Sequence, residues 1–158
     1  MEKYGEKKNK IFVDADACPV KEEILKLAGT YNVDVVFVAS YAHVMSNPMG
    51  GEWIYVDSDK EAADLYIMNH ARRQDIVITQ DIGLASILVN KGVIAISPRG
   101  NEFEEENMDH ILHLRYLSAK DRRSGTYSKG PKPFTEDHRY HFNKVFEKIL
   151  SNLAGFNN

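Results

Sequence analysis

The amino-acid sequence predicts one α/β domain, a three-layer arrangement with a mostly parallel five-stranded sheet flanked by helices. Three observations point there: short apolar runs alternate with segments of helical period, Gly, Pro and Asn punctuate them, and several runs end in carboxylates. Lys10 to Asp14 is the first such run. Pro19 suits the first position of a helix, where its missing N–H costs nothing, and Val20, Ile24, Leu25, Leu27 and Ala28 recur at helical spacing until Gly29, a plausible stop. Val33 to Ala39 is almost continuously apolar, the mark of a strand covered on both faces. A loop with Asn47-Pro48 and Gly50-Gly51 follows, then a strand from Trp53 to Val56. Ser58 and Glu61 have the spacing of a capping box for a helix carrying Ala62, Ala63, Tyr66, Ile67 and His70. Asp75 to Thr79 is the next strand, Leu84 to Val89 a short helix closed by Gly92, and Val93 to Ser97 the fifth strand. Glu102, Glu104, Glu105, Glu106 and Asp109 suit the exposed N-terminus of a helix. Thr135, followed by Glu136 and Asp137, starts a last helix with Phe142, Val145, Phe146, Ile149 and Leu150 on one face.

Composition narrows the class. The chain has 158 residues, 43% hydrophobic and 27% charged, with a net charge of -3 and a single Cys. That length suits one domain able to bury roughly 70% of its unfolded surface. One Cys excludes a disulfide framework and any Cys-cluster metal site. No apolar run approaches the roughly 18–20 residues of a membrane span, and the polar start lacks the apolar core of a secretory signal. The expectation is a soluble cytoplasmic protein without membrane contact: a flexible leader over 1–9, one domain over 10–153 and a flexible tail over 154–158. From Arg115 to Lys144, eight Lys/Arg stand against three Asp/Glu, so a basic stretch is set in an otherwise acidic chain.

The acids fall where ligands bind. In an open α/β sheet the crevice lies outside the carboxyl ends of the strands. Asp14 and Asp16 end the first strand, Asp81 follows the fourth, and Asp64 sits one turn into the helix after the third. Two carboxylates about 5 Å apart repel by roughly 3 kcal/mol at an effective dielectric near 20. A group of them needs a divalent cation, raised pKa values or resident basic partners. Lys60 is the one Lys or Arg near Asp64 or Asp81 in sequence, which favours a cation. An all-oxygen set suits Mg²⁺ or Mn²⁺ rather than zinc. The plainer role for such acids is helix capping: it accounts for Asp57 or Ser58, makes Asp59 a first-turn dipole partner, and competes for Asp14, Asp16 and Asp81.

Four motifs carry a resemblance. Val13-Asp-Ala-Asp-Ala-Cys-Pro-Val20, Ala62-Ala63-Asp64, Asp75-Ile-Val-Ile-Thr-Gln-Asp-Ile-Gly-Leu-Ala85, and Ser124-Gly with Gly130-Pro-Lys-Pro-Phe-Thr135 resemble the YaiI/YqxD family of uncharacterised bacterial proteins, in the family's order from about residue 10 to 150. Its strand–acid pattern is similar to the PIN-like and NYN nuclease group. That resemblance implies a parallel sheet in the order 3-2-1-4-5, with Asp14, Asp64 and Asp81 as metal ligands, Asp14 and Asp81 as catalytic residues and Asp16 as a fourth ligand. It also implies a supporting hydroxyl from Thr79, grouped here with the substrate-contacting residues.

Other residues invite weaker readings. Cys18 before Pro19 is either a nucleophile or filler beside the acids, and filler is the simpler reading. His110 with His113, and His138 with His141, have the spacing of paired ligands but equally of exposed helix faces. Met45, Met49, Tyr41 and His43 suit a loop over the site. Lys120, Arg122, Arg123, Lys129, Lys132 and Arg139 are interleaved with Tyr116, Tyr127, Phe134 and Tyr140, a pattern in which cations follow phosphates while rings stack on unpaired bases; Arg99 suits the same rim. The leading expectation is a metal-dependent phosphodiesterase hydrolysing RNA or single-stranded nucleic acid, with Arg99, Lys120, Arg122, Arg123 and Lys132 on the substrate. The alternatives are a non-catalytic metal- and RNA-binding protein and a haloacid-dehalogenase-like phosphatase using Asp14 as nucleophile. The oligomeric state, a homodimer included, stays open.

Overall fold

The computed structural model describes residues 8–41, 49–59, 61–123, 125 and 132–155; along part of the helix before residue 123 it describes the backbone alone. The expected loop residues Met45 and His43, Lys129, and most of the expected leader and tail lie outside these.

Strand β1 (Lys10–Asp14) leads through a 3-10 turn (Ala15–Ala17) into helix α1 (Lys21–Tyr31) and strand β2 (Asp34–Ser40). Then come β3 (Glu52–Val56), α2 (Ala62–His70), β4 (Ile76–Ile78), α3 (Ile82–Asn90) and β5 (Ile94–Ile96). The chain closes with β6 (Glu102–Phe103), α4 (Glu105–Arg123) and α5 (Glu136–Leu153). The sheet order is β3-β2-β1-β4-β5-β6, parallel throughout except for the antiparallel pair β5–β6. The expected three-layer α/β fold and its 3-2-1-4-5 core are therefore present, with one strand added at the edge.

Alternation along the strands builds two cores. Ile11, Val13, Val35, Phe37, Ile76 and Ile78 face one side, where Ile24 and Ala28 of α1 and Phe142, Phe146 and Leu150 of α5 cover them. Phe12, Val36, Val38 and Val77 face the other, against Ile67 of α2 and Leu84 and Leu88 of α3. Strands apolar on both faces must be covered on both, which accounts for the continuous run in β2.

Local details depart from expectation where tertiary packing overrides a local rule. Pro19 lies before α1 rather than in its first position; Val20 is the N-cap. Gly29 is passed, and α1 runs to Tyr31 because Asn32 adopts the left-handed conformation (φ 56°) that ends it, its N–H bonding back to Ala28 and Gly29 carbonyls. Ser58 forms no capping box; Glu61 occupies the N-cap of α2 with no side-chain cap, while Asp59 accepts from Glu61 N at 3.4 Å. By contrast, Thr135 caps α5 as its sequence predicts, in a reciprocal box with His138. The acidic run Glu102–Glu106 divides between β6 and the start of α4.

The turn between β5 and β6 is locked onto α5. Gly100 (φ +91°) sits so close that a Cβ there would meet His141 Nδ1 at 2.7 Å and the backbone of His141 and Phe142 at 2.9 Å. Gly29, on the exposed side of α1, has nothing within 4 Å of a built Cβ. Gly100→Ala is therefore expected to destabilise the fold by about 1–3 kcal/mol, whereas Gly29→Ala gains about 0.5–1 kcal/mol. Denaturant unfolding of the two variants checks the opposite signs; similar midpoints would contradict the close packing at Gly100.

Candidate functional site

The topology reverses at β1, which has β2 on one side and β4 on the other, so the switch point lies between β1 and β4. Val13 pairs with Ile78, which sets Asp14 and Thr79 side by side at the carboxyl edge. Thr79 is buried to 1% exposure, and its hydroxyl joins the two strand ends. It donates to Asp14 Oδ2 at 3.1 Å and accepts from Asp81 N at 3.0 Å. The buried Thr79 hydroxyl thus joins the Asp14 carboxylate to the backbone at Asp81.

The other acids reach the edge from the segments after the strands. Asp81 is the N-cap of α3, its Oδ1 accepting from Leu84 N at 3.1 Å. Gly83 keeps this turn tight, since a Cβ there would lie 3.2 Å from Asp81 Oδ1. Asp64 stands in the first turn of α2 and hydrogen-bonds with Asp81. Burial, the charge of Asp81 and that hydrogen bond push its carboxyl up to about 6, with Asp14 and Glu61 adding to the effect. Asp14 is also raised, chiefly by burial and then by Asp16 and Asp81, against the stabilising Thr79 hydroxyl. Asp14, Asp64 and Asp81 therefore act on one another. Asp16 enters this group through Asp14, while both its oxygens accept from Ser40 N, at 3.1 and 3.2 Å, clipping the 3-10 turn to the end of β2. Gln80 Nε2 donates to Ala17 O at 2.9 Å, tying the β4–α3 turn to the turn after β1.

Hard oxygen donors of this kind fit Mg²⁺ or Mn²⁺. Among the described residues, however, no three His, Cys, Asp or Glu side chains are already gathered as a site that could hold an ion.

Next to Asp81 opens a concave region of about 700 Å³ between the β4–α3 turn, the β5–β6 segment and α5, with Gln80, Ile82, Arg99 and Phe103 among its walls. Sequence reading missed it, because its walls come from three separated segments. Of the expected phosphate contacts, Arg99 lines this groove and its guanidinium donates to the carbonyl of Lys132. Lys120 and Lys132 are exposed; Arg122 and Arg123 lie in the last turn of α4, their side chains outside the described residues. Arg139 is committed elsewhere: it donates to Pro19 O and to both oxygens of Glu23, with its guanidinium over the Phe134 ring. Cys18 is buried and its thiol is pushed up to about 11, which makes it packing rather than a nucleophile. His138 serves the α5 cap, and His141 Nδ1 lies 3.0 Å from Arg99 O.

A family profile described as "Uncharacterized BCR, YaiI/YqxD family" matches residues 12–152. A UPF0178 protein of Bacillus cytotoxicus is 55% identical over 147 residues, covering 93% of this chain and 96% of that one. Another, from Bacillus velezensis, is 51% identical over 155 residues, covering 98% and 92%. Among solved structures, Rae1 (YacP) from Bacillus subtilis aligns over 92% of this chain and 99% of its own, with a TM-score of 0.44 and 15% identity. Among the described residues no helix is long and apolar enough to cross a membrane.

Asp64 supplies a test of the acid cluster. Its folded-state pKa of about 6 lies above its ordinary 3.8, so folding favours the protonated form. Its contribution to stability is therefore present below about pH 4 and is lost as pH rises through about 6. In chelator-treated buffer, Asp64→Asn is expected to remove that decline and to unfold at higher denaturant than wild type at pH 7. Parallel pH profiles for the two proteins would show that the carboxylates do not press on one another.

Proposed function

The chain belongs to the YaiI/YqxD family of uncharacterised bacterial proteins, and we propose that it is a ribonuclease-like, metal-dependent phosphodiesterase acting on RNA or other single-stranded nucleic acid. The observation that carries this reading is the mutual action of Asp14, Asp64 and Asp81 at one strand edge, where burial and like charge raise two of them. Such a group gains most from a cation.

Asp14, Asp64 and Asp81 would hold Mg²⁺ or Mn²⁺, with Asp16 beside Asp14 as the fourth acid. A bound ion supplies a water of lowered pKa and a positive charge for a phosphoryl oxygen. The protein's own part is preorganisation. Thr79 fixes the Asp14 carboxylate and the Asp81 backbone with one hydroxyl, and Gln80 holds the two turns together. Lys120, Arg122, Arg123 and Lys132 are the candidates for the phosphate backbone, where Lys and Arg act by displacing counterions, and Arg99 is the candidate for a substrate contact within the groove beside Asp81. Arg139 is left out of that track because it pairs with Glu23 at 2.8 Å.

End-labelled, mixed-sequence single-stranded RNA with Mn²⁺ tests the proposal. Wild type is expected to cleave it, and Asp81→Asn to fall to background while keeping its fold, since Asn caps a helix as well as Asp does. Equal cleavage by both proteins overturns the assignment of the site. RNA binding without cleavage by wild type supports the non-catalytic binder instead.

The basic track has its own test. Arg122→Ala with Arg123→Ala is expected to weaken RNA binding and to reduce the salt slope by about 0.7 for each phosphate of a single strand that the variant no longer neutralises. Unchanged affinity and slope would remove the proposed phosphate track.

A further inference from the structure

The geometry points to the groove beside Asp81 as a nucleobase pocket that selects guanine through the carboxylate of Glu102. This inference rests on the nucleic-acid reading of the neighbouring acids and adds to it a substrate preference. Gln80 and Ile82, the residues on either side of Asp81, form one end of the groove, so whatever occupies it lies next to the acid cluster. Its volume of about 700 Å³ falls within the range of small-ligand sites.

The walls favour a base over a phosphate. Ile82, Pro98, Phe103 and Val145 offer apolar and aromatic surface. Arg99 is the one Lys or Arg among the described lining residues, against Glu102 and Glu104. A phosphate would meet net repulsion there. A splayed base needs an aromatic or guanidinium plane to stack on and polar groups to read its edge, and Phe103, Arg99 and Glu102 are of those types.

Glu102 narrows the choice of base. An ionised carboxylate only accepts hydrogen bonds, and it does so best from two parallel N–H groups. Guanine presents two adjacent donors, N1–H and the 2-amino group, on its Watson–Crick edge. Adenine, cytosine and uracil each present one donor group there. Partial burial and Glu104 already raise Glu102, with Lys148 as a counterweight, so the carboxylate gains from a pair of donors.

The test is an amide NMR titration of the full chain in chelator-treated buffer with guanosine, inosine, adenosine, cytidine and uridine. Guanosine is expected to shift the Gly100, Asn101 and Phe103 amides saturably and to bind about tenfold tighter than inosine, which lacks the 2-amino group. Glu102→Gln is expected to abolish that difference; Glu102 is on the exposed rim, and amides distant from the groove report that the variant is folded. Equal binding of all five nucleosides, no binding, shifts confined to other residues, or a preference that survives in Glu102→Gln each overturns the inference. No cation and no turnover enter this titration, so its failure is separable from failure of the phosphodiesterase reading. A chain that cleaves RNA but ignores guanosine would lose the pocket alone.

Discussion

The parallel pairing of β1 with β4 is the constraint on which the site depends. Parallel strands present their carboxyl ends at one edge, and the Val13–Ile78 register puts Asp14 beside Thr79 there. A slip of one residue would exchange the faces of Ile11, Phe12 and Val13 and turn Asp14 away from its partner. Both cores oppose that slip: Ile11 and Val13 are fixed on the α1 and α5 side, Phe12 on the α2 and α3 side. The opposite end of the same pair is pinned too, because buried Asp75 accepts from Lys10 N at 2.9 Å and from Arg72 N at 2.8 Å. Positioning at the candidate site is thus a consequence of packing far from it.

Acids of one type do different work along that edge. Asp16 and Asp81 accept backbone N–H groups from Ser40 and Leu84, so part of their charge is met by the chain itself. Helix N-termini at Asp81 and near Asp64 add a favourable field for negative charge. Asp64 nevertheless rises to about 6, which means that burial and the neighbouring carboxylates outweigh that field. Capping and ligand roles therefore do not exclude each other at Asp81; a cap fixes one oxygen and thereby the direction of the carboxylate.

Much of this was legible in the sequence because strand periodicity and chain order are local signals. The apolar runs marked the first five strands, and Asp14, Asp64 and Asp81 stood out by following them. What stayed hidden depends on partners distant in sequence. The Glu102–Phe103 strand is too short to show a period and exists by pairing with Ala95 and Ile96. Ser58 and Glu61 matched a capping pattern, yet α2 begins after Glu61. The close packing at Gly100 is made by His141 and Phe142 of α5, which are distant from it in sequence. The burial of Thr79 between two strand ends was equally hidden, since nothing in its sequence neighbours reveals it.

The basic stretch illustrates why counting charges overstates a binding surface. Arg139 bridges to Glu23 of α1, Lys144 lies over the Tyr140 ring, and Arg99 reaches the Lys132 carbonyl. The first ties α5 to α1 and the third ties the segment before α5 to the β5–β6 turn, while the second lies within α5, so charges in this stretch also serve the fold. The same distribution serves the acids. An arginine placed among Asp14, Asp64 and Asp81 would neutralise them permanently and remove the advantage of a cation. The groove beside Asp81 differs from both the acid cluster and the basic stretch in its lining, where Arg99 stands with Glu102 and Glu104 among apolar side chains.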